Sequence, residues 1–286
     1  MSLFSERIRT RQRVWWGSPN RWHNPESYRR LFHRLKEHLV LRDKDDPEDQ
    51  WRCCEFWQRT LINKWNAREF AQRYGCRVPT LYWFGRHAGA LPLDSLPTHF
   101  VIRQVWGSAR KGVYVFAHDR ELLRERTFTK YELKTAMRQN QGWIPRVPIL
   151  IEEFLKTEAG DYALPIEYKF YTFGATIGAI QVVQRTGLKV RKRFYTASWE
   201  PFDDPMNTYL PQADPIDPPR CFDEMVACAK RLGAALGTFI RVDLYATDKG
   251  CVFGEFSSTP LNGQYCTTFA DEYFGKLWDD VCPDRT

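Results

Sequence analysis

Two strands late in the chain limit what it can fold into. Residues 238–245 read Thr-Phe-Ile-Arg-Val-Asp-Leu-Tyr, residues 251–256 read Cys-Val-Phe-Gly-Glu-Phe, and Thr247-Asp-Lys-Gly250 joins them. Side chains at i and i+2 share a strand face. Arg241 and Asp243 therefore share one face, and Ile240, Val242 and Leu244 the other. Strict alternation puts Glu255 on one face with Phe253 and Cys251. The tight turn brings Glu255 roughly opposite Asp243, with the register open by one residue. Unpaired charge among apolar residues is costly. A salt-bridged exposed face accounts for Asp243 with Arg241. A divalent cation shared by Asp243 and Glu255 accounts for both carboxylates, and Mg²⁺ is commonly held by one or two carboxylates plus phosphates.

A hairpin needs a sheet, and the rest of the chain supplies candidates. Strand-like runs fall at 78–84, 99–105, 112–117, 149–155, 166–173 and 177–184, the last two joined at Gly174. Helical spacing marks 51–75, with Gly75 placed as a C-cap. A second helix follows Pro218 and Pro219, with Phe222, Met225, Val226, Ala229, Leu232 and Leu236 on one face and Gly237 closing it. Helices with antiparallel hairpins read as α+β.

Composition excludes several classes. At 286 residues, 43% hydrophobic and 27% charged, the chain has the make-up of an ordinary globular protein. No apolar run is long enough to span a membrane, and the start lacks the pattern of a secretory signal. Cysteines stand at 53, 54, 76, 221, 228, 251, 266 and 282 with no CxxC pair. That spacing argues against a zinc site and for reduced, mostly buried thiols in a cytoplasmic protein. Of the net charge of +7, residues 1–40 hold nine Lys/Arg against three Asp/Glu. Such an excess suits an anionic substrate, a polyanion or a solvated helix face. Trp, Leu and Phe interleave these arginines, so we expect packing rather than a general nucleic-acid grip. Trp15, Trp16, Trp22 and Trp51 can stack on sugars or bases, or fill a core.

A second polar segment is Val101-Ile-Arg-Gln-Val-Trp-Gly-Ser-Ala-Arg-Lys-Gly112, which reads strand, glycine-bearing loop, strand. Gly107 and Gly112 allow close backbone approach, and N–H groups of such a loop can cradle an anion. Arg103, Arg110 and Lys111 add positive charge. The pattern is neither Walker A nor GxGxxG, and hairpin turns hold Gly and Lys as well. The basic cluster Lys189, Arg191, Lys192 and Arg193 can likewise receive an anionic substrate or lie in a solvated loop.

In order, LINKWNAREFAQRYG, FVIRQVWGSARKG, ILIEEFL, EYKFYTFG, FIRVDLY and FGEFSSTPLNG resemble the TupA-like ATP-grasp proteins of polysaccharide and cell-envelope biosynthesis, over about residues 60–265. The resemblance implies an α+β ATP-grasp fold with two lobes clasping ATP. It implies an N-terminal basic, aromatic-rich lobe at 1–95, a small lobe with the phosphate loop at 96–156 and a large lobe with the metal hairpin at 157–286. Carried over by position, Arg103 stands where the family has a phosphate-binding Lys. Gly107, Ser108, Lys111 and Gly112 belong to the loop over the phosphates. The backbone of Glu152, Glu153, Phe154 and Leu155 reads adenine. Glu167 holds ribose, Lys169 a phosphate, and Arg241 the transferring phosphoryl group. Asp243, Glu255 and Ser257 bind Mg²⁺. Two departures stand out: Arg for Lys at 103, and Ser257 where the wider superfamily commonly has Asn.

The resemblance implies an ATP- and Mg²⁺-dependent carboxylate–amine ligase working through an acyl phosphate, in polysaccharide, cell-envelope or secondary-metabolite biosynthesis. Its substrate is expected to be a small molecule or glycan, anionic in character by the basic clusters. A kinase acting on a hydroxyl is the alternative on the same fold, and the motif carboxylates leave only Asp161 and Asp271 as bases for one. A non-catalytic nucleotide- or nucleic-acid-binding module is the third reading.

Overall fold

The structure is a computed structural model and describes residues 40–53, 57–106, 112–139, 147–186, 189–208, 210–258, 260 and 265–281. Trp15, Trp16, Trp22, Gly107, Ser108, Arg110 and Lys111 lie outside the described residues.

Strand signals become two antiparallel sheets. The first holds β1 (Leu81–Gly85), β2 (His99–Gln104), β3 (Val113–Ala117), β4 (Arg120–Glu121), β5 (Arg126–Thr127) and β6 (Ile149–Glu153), in the order β1-β6-β2-β3-β4-β5. The second holds β7 (Glu167–Phe173), β8 (Thr176–Thr186), β9 (Lys189–Tyr195), β10 (Phe239–Thr247) and β11 (Gly250–Ser257), in the order β11-β10-β7-β8-β9. β1 lies within the stretch expected as an N-terminal lobe, yet it pairs with β6 and extends the first sheet. The basic run at 189–193 lies wholly in a strand, which pairs with β8.

Alternation within each strand decides what covers each face. Ile102, Tyr114, Phe116, Ile149 and Ile151 of the first sheet meet Leu133 and Met137 of helix α2 (Lys130–Gln139). In the second sheet Phe170, Ile180, Val182, Ile240, Val242 and Leu244 meet helix α3 (Phe222–Leu236) through Met225, Ala229, Leu232 and Leu236. Truncating a fully buried leucine such as Leu232 costs about 2–5 kcal/mol. Gly237 ends α3 with φ 62, a left-handed C-cap that other residues adopt only with strain.

The same core takes in helix α1 (Lys64–Arg73), which Asn63 caps by accepting from the Asn66 N–H. The helical stretch read at 51–75 is thus a 3-10 segment at Trp57–Ile62 followed by α1. Trp51 is buried in this core, so packing is its fate. Helix α4 (Thr268–Val281) covers one end of the opposite face of the second sheet, placing Ala270 and Phe274 on Tyr171, Phe173, Phe194 and Phe239. The other end of that face is left for polar groups. Among the described residues no helix is long and apolar enough to cross a membrane.

Candidate active site

Three neighbouring strands place one charged row across the second sheet. Glu255 on β11 pairs with Asp243 on β10, and Asp243 pairs with Lys169 on β7. The next row sets Ser257 opposite Arg241 and Arg241 opposite Tyr171. Glu255 reaches this face through a β-bulge. Leu244 pairs with Phe253 but Asp243 pairs with Glu255, so Gly254 is the extra residue. Glu255 therefore does not share a face with Phe253 and Cys251, as strict alternation requires; those two side chains are in the core. Without the bulge a carboxylate would enter that core. Gly254 suits the position because a Cβ there would come within 2.7 Å of the Tyr245 ring and 3.1 Å of the Asp243 carbonyl oxygen.

Asp243 is the hub. Arg241 grips it as a fork, Nε donating to Oδ1 at 2.6 Å and Nη2 to Oδ2 at 2.7 Å. Lys169 Nζ donates to Oδ2 at 2.5 Å and also lies 2.9 Å from Glu167 Oε2. Glu255 stands looser, 3.7 Å from Arg241 Nη2 and with its side chain 41% exposed against 4% for Asp243. Burial alone would push the Asp243 carboxyl up, but Arg241 and Lys169 outweigh it and hold it below the usual aspartate range. Burial alone would lower Lys169, but Asp243 overcomes it and raises it.

The first sheet faces this hub with a second buried knot. Glu152, 1% exposed, accepts from Arg103 Nε at 2.8 Å and from Arg68 Nη1 of α1 at 3.1 Å. Arg103 Nη1 also reaches the Gly254 carbonyl oxygen at 3.4 Å, touching the bulge of the β10–β11 hairpin. Burial lowers Lys64 of α1, whose neighbours include Glu255, Arg103 and Glu152. A second tie joins the sheets where Lys249 Nζ donates to Glu153 Oε1 at 2.8 Å. The Glu153 N–H donates to the Thr80 carbonyl oxygen, and Phe154 and Leu155 are buried just beyond β6. Tyr245, on the same face as Asp243, lies between the two knots, near Glu167, Glu255 and Arg103.

Arg103, Glu167, Lys169, Arg241, Asp243, Glu255 and Ser257 thus come together, while Glu152 serves Arg103 rather than facing outward. Gly112 has φ +72, and a Cβ would meet the Gln104 amide oxygen at 2.3 Å, so local packing already demands glycine there. Among the basic residues at 189–193, Lys192 is buried against Asn207 and burial lowers it to about 8, while Arg191 is exposed. Lys64, Arg68 and Gly254 were not singled out from sequence. LINKWNAREF contained two of them, but a helix position does not reveal that its charge is buried against a sheet residue far along the chain.

The donor set suits Mg²⁺. Two opposed carboxylates and the Ser257 hydroxyl are hard oxygens, and a carboxylate accepts at about four lone-pair sites. Asp243 spends three of these on Arg241 and Lys169, leaving one on Oδ1. Among the described residues no cluster of three or more His, Cys, Asp or Glu could complete a metal shell.

A family model described as TupA-like ATPgrasp matches residues 52–281. No curated protein matches the chain. Among solved structures, D-alanine–D-alanine ligase from Helicobacter pylori is similar at 16% identity and TM-score 0.48, covering 79% of this chain and 59% of that one. The ATP-grasp ligase PsnB complexed with minimal precursor is similar at 11% identity and TM-score 0.42, covering 76% and 59%. D-alanine–D-alanine ligase from Bacillus anthracis complexed with ATP is similar at 13% identity and TM-score 0.46, covering 77% and 64%. The chain spans 59% to 64% of the length of these three proteins.

Proposed function

The chain belongs to the TupA-like ATP-grasp family, and from that premise we propose that it is an ATP-dependent ligase joining a carboxylate to an amine. The observation that carries the reading is the row Glu255, Asp243, Lys169 with Arg241 alongside. It combines opposed carboxylates with two cations in a buried setting, the combination phosphoryl transfer needs.

In this reading ATP lies between the two sheets. Arg103 exchanges its hold on Glu152 for a phosphate, and Arg68 keeps Glu152 compensated meanwhile. Arg110 and Lys111 flank the same loop in sequence. Lys169 and Arg241 face the γ-phosphate, and Glu167 the ribose. Asp243, Glu255 and Ser257 would hold Mg²⁺, which when bound supplies positive charge against the phosphates. A carboxylate oxygen of the substrate attacks the γ-phosphorus, the bond to the β-phosphate oxygen breaks, and ADP leaves. An amine then attacks the acyl phosphate carbon, phosphate departs, and the amine proton passes to solvent. The exposed Arg191 and the chain's net positive charge favour an anionic small-molecule or glycan substrate. The pathway we assign is polysaccharide, cell-envelope or secondary-metabolite synthesis.

Hydroxylamine tests this, because it converts an acyl phosphate to a hydroxamate. With ATP, Mg²⁺, hydroxylamine and a panel of carboxylates, one member should yield hydroxamate and ADP together. An alkali-stable phosphate ester would replace the ligase with a kinase.

A further inference from the structure

Three thiols that the proposed chemistry does not use converge in the largest core. Cys76 follows α1, Cys228 sits on α3 and Cys251 on β11, and each is under a tenth exposed. Cys76 Sγ and Cys228 Sγ are 2.8 Å apart, although 152 residues separate them in sequence. A disulfide bond is about 2.05 Å long, so the two sulfurs need close only a further ~0.8 Å. We propose that Cys76 and Cys228 are a site of oxidative modification, bridged as a disulfide when the protein meets hydrogen peroxide.

Access favours Cys76 as the first thiol to react. It lines a surface cavity of about 900 Å³ together with Lys44, Arg73, Gly75 and Arg77. Arg231 Nη2 lies 3.7 Å from Cys76 Sγ and 3.5 Å from the Gly75 carbonyl oxygen, which places a cation beside a forming thiolate. The Cys228 contact and burial together push the Cys76 thiol up, so the resting pair is protonated and bridging is slow. Cys251 also touches Cys228 but does not line the cavity.

The chemistry balances without another reactant. The Cys76 thiolate attacks one peroxide oxygen, the O–O bond breaks, and water leaves behind a sulfenic acid. Cys228 sulfur attacks the Cys76 sulfur, the S–O bond breaks, and a second water leaves. Two thiols lose two electrons and two protons, and the peroxide becomes two waters. The product ties the loop after α1 to α3.

The test uses the full chain, treated with hydrogen peroxide, alkylated and digested without reduction. Mass spectrometry should find the peptides of Cys76 and Cys228 joined, two hydrogens lighter than their sum, and separated by dithiothreitol. Cys76→Ser should abolish the joined species and Cys251→Ser should leave it. The proposal is overturned if Cys76 becomes sulfinic acid while Cys228 still takes the alkylating agent. It is equally overturned if Cys228 joins Cys251, or if both thiols stay reduced at peroxide levels that oxidise the exposed Cys53. Mapping on the wild-type chain decides this even where a serine variant fails to fold.

Discussion

Asp243 and Glu255 face each other, but replacing them has different consequences. Asp243→Asn leaves Arg241 and Lys169 buried beside a neutral amide, and breaking a buried ion pair costs about 3–5 kcal/mol. Glu255 is exposed enough that Glu255→Gln should cost less than about 1 kcal/mol. Both should abolish turnover, and urea denaturation should separate the two in stability. The Asp243 carboxyl is depressed in the folded state, so its contribution is complete above the ordinary aspartate pKa and is lost as pH falls through the lower folded value. The stability gap between wild type and Asp243→Asn should therefore close below about pH 4. If Arg103 holds a phosphate as proposed, Arg103→Ala removes a charge-assisted contact worth about 1.5–3 kcal/mol, roughly ten- to hundred-fold in affinity. Calorimetry should show that loss for ADP and none for adenosine. The hub was legible because Arg, Asp and Glu within apolar strands demand an explanation. Glu152 was harder to place: its neighbour Glu153 looks the same in sequence, and only the pairing with β2 shows that one is buried against Arg103 while the other, half-buried, meets Lys249.

At the scale of elements, the bulge at Gly254 governs the β10–β11 hairpin. Gly254→Ala sets a methyl against the Tyr245 ring and the Asp243 carbonyl, and the strand must shift to relieve it. We expect about 1–3 kcal/mol of destabilisation, together with loss of Mg²⁺-dependent nucleotide binding. Retained binding in calorimetry would show that the bulge only packs. The strands at 99–105, 112–117, 166–173 and 177–184 and the helix ending at Gly237 were legible from alternation, spacing and glycine punctuation. The bulge was not, because a single glycine in a strand does not announce which side of it the register slips. Nor was the burial of Lys192, because the run Arg191-Lys192-Arg193 reads equally as a substrate site or a solvated loop until pairing with β8 puts Lys192 inside.

At the scale of the molecule, a nucleotide gripped by both sheets should stabilise the whole chain. Ligand at a hundred times its Kd adds about 2.7 kcal/mol, which should raise Tm by several degrees. ADP with Mg²⁺ should produce that shift, and EDTA should remove most of it. Arg103 with Gly254 and Lys249 with Glu153 already join the sheets without a ligand. The packing of α1 on the second sheet has a temporal side as well. Phe70 of α1 meets Phe256 of β11, ring centroids 6.0 Å apart. All strands of the first sheet lie between residues 81 and 153, so it can form while synthesis continues. Translation proceeds at about 5–20 residues per second, so α1 waits roughly 10–35 s for β11 to be made. Until then the side of Phe70 that meets Phe256 lacks its partner on the nascent chain, and only Trp51, Trp57 and Tyr74 are there to shield the ring.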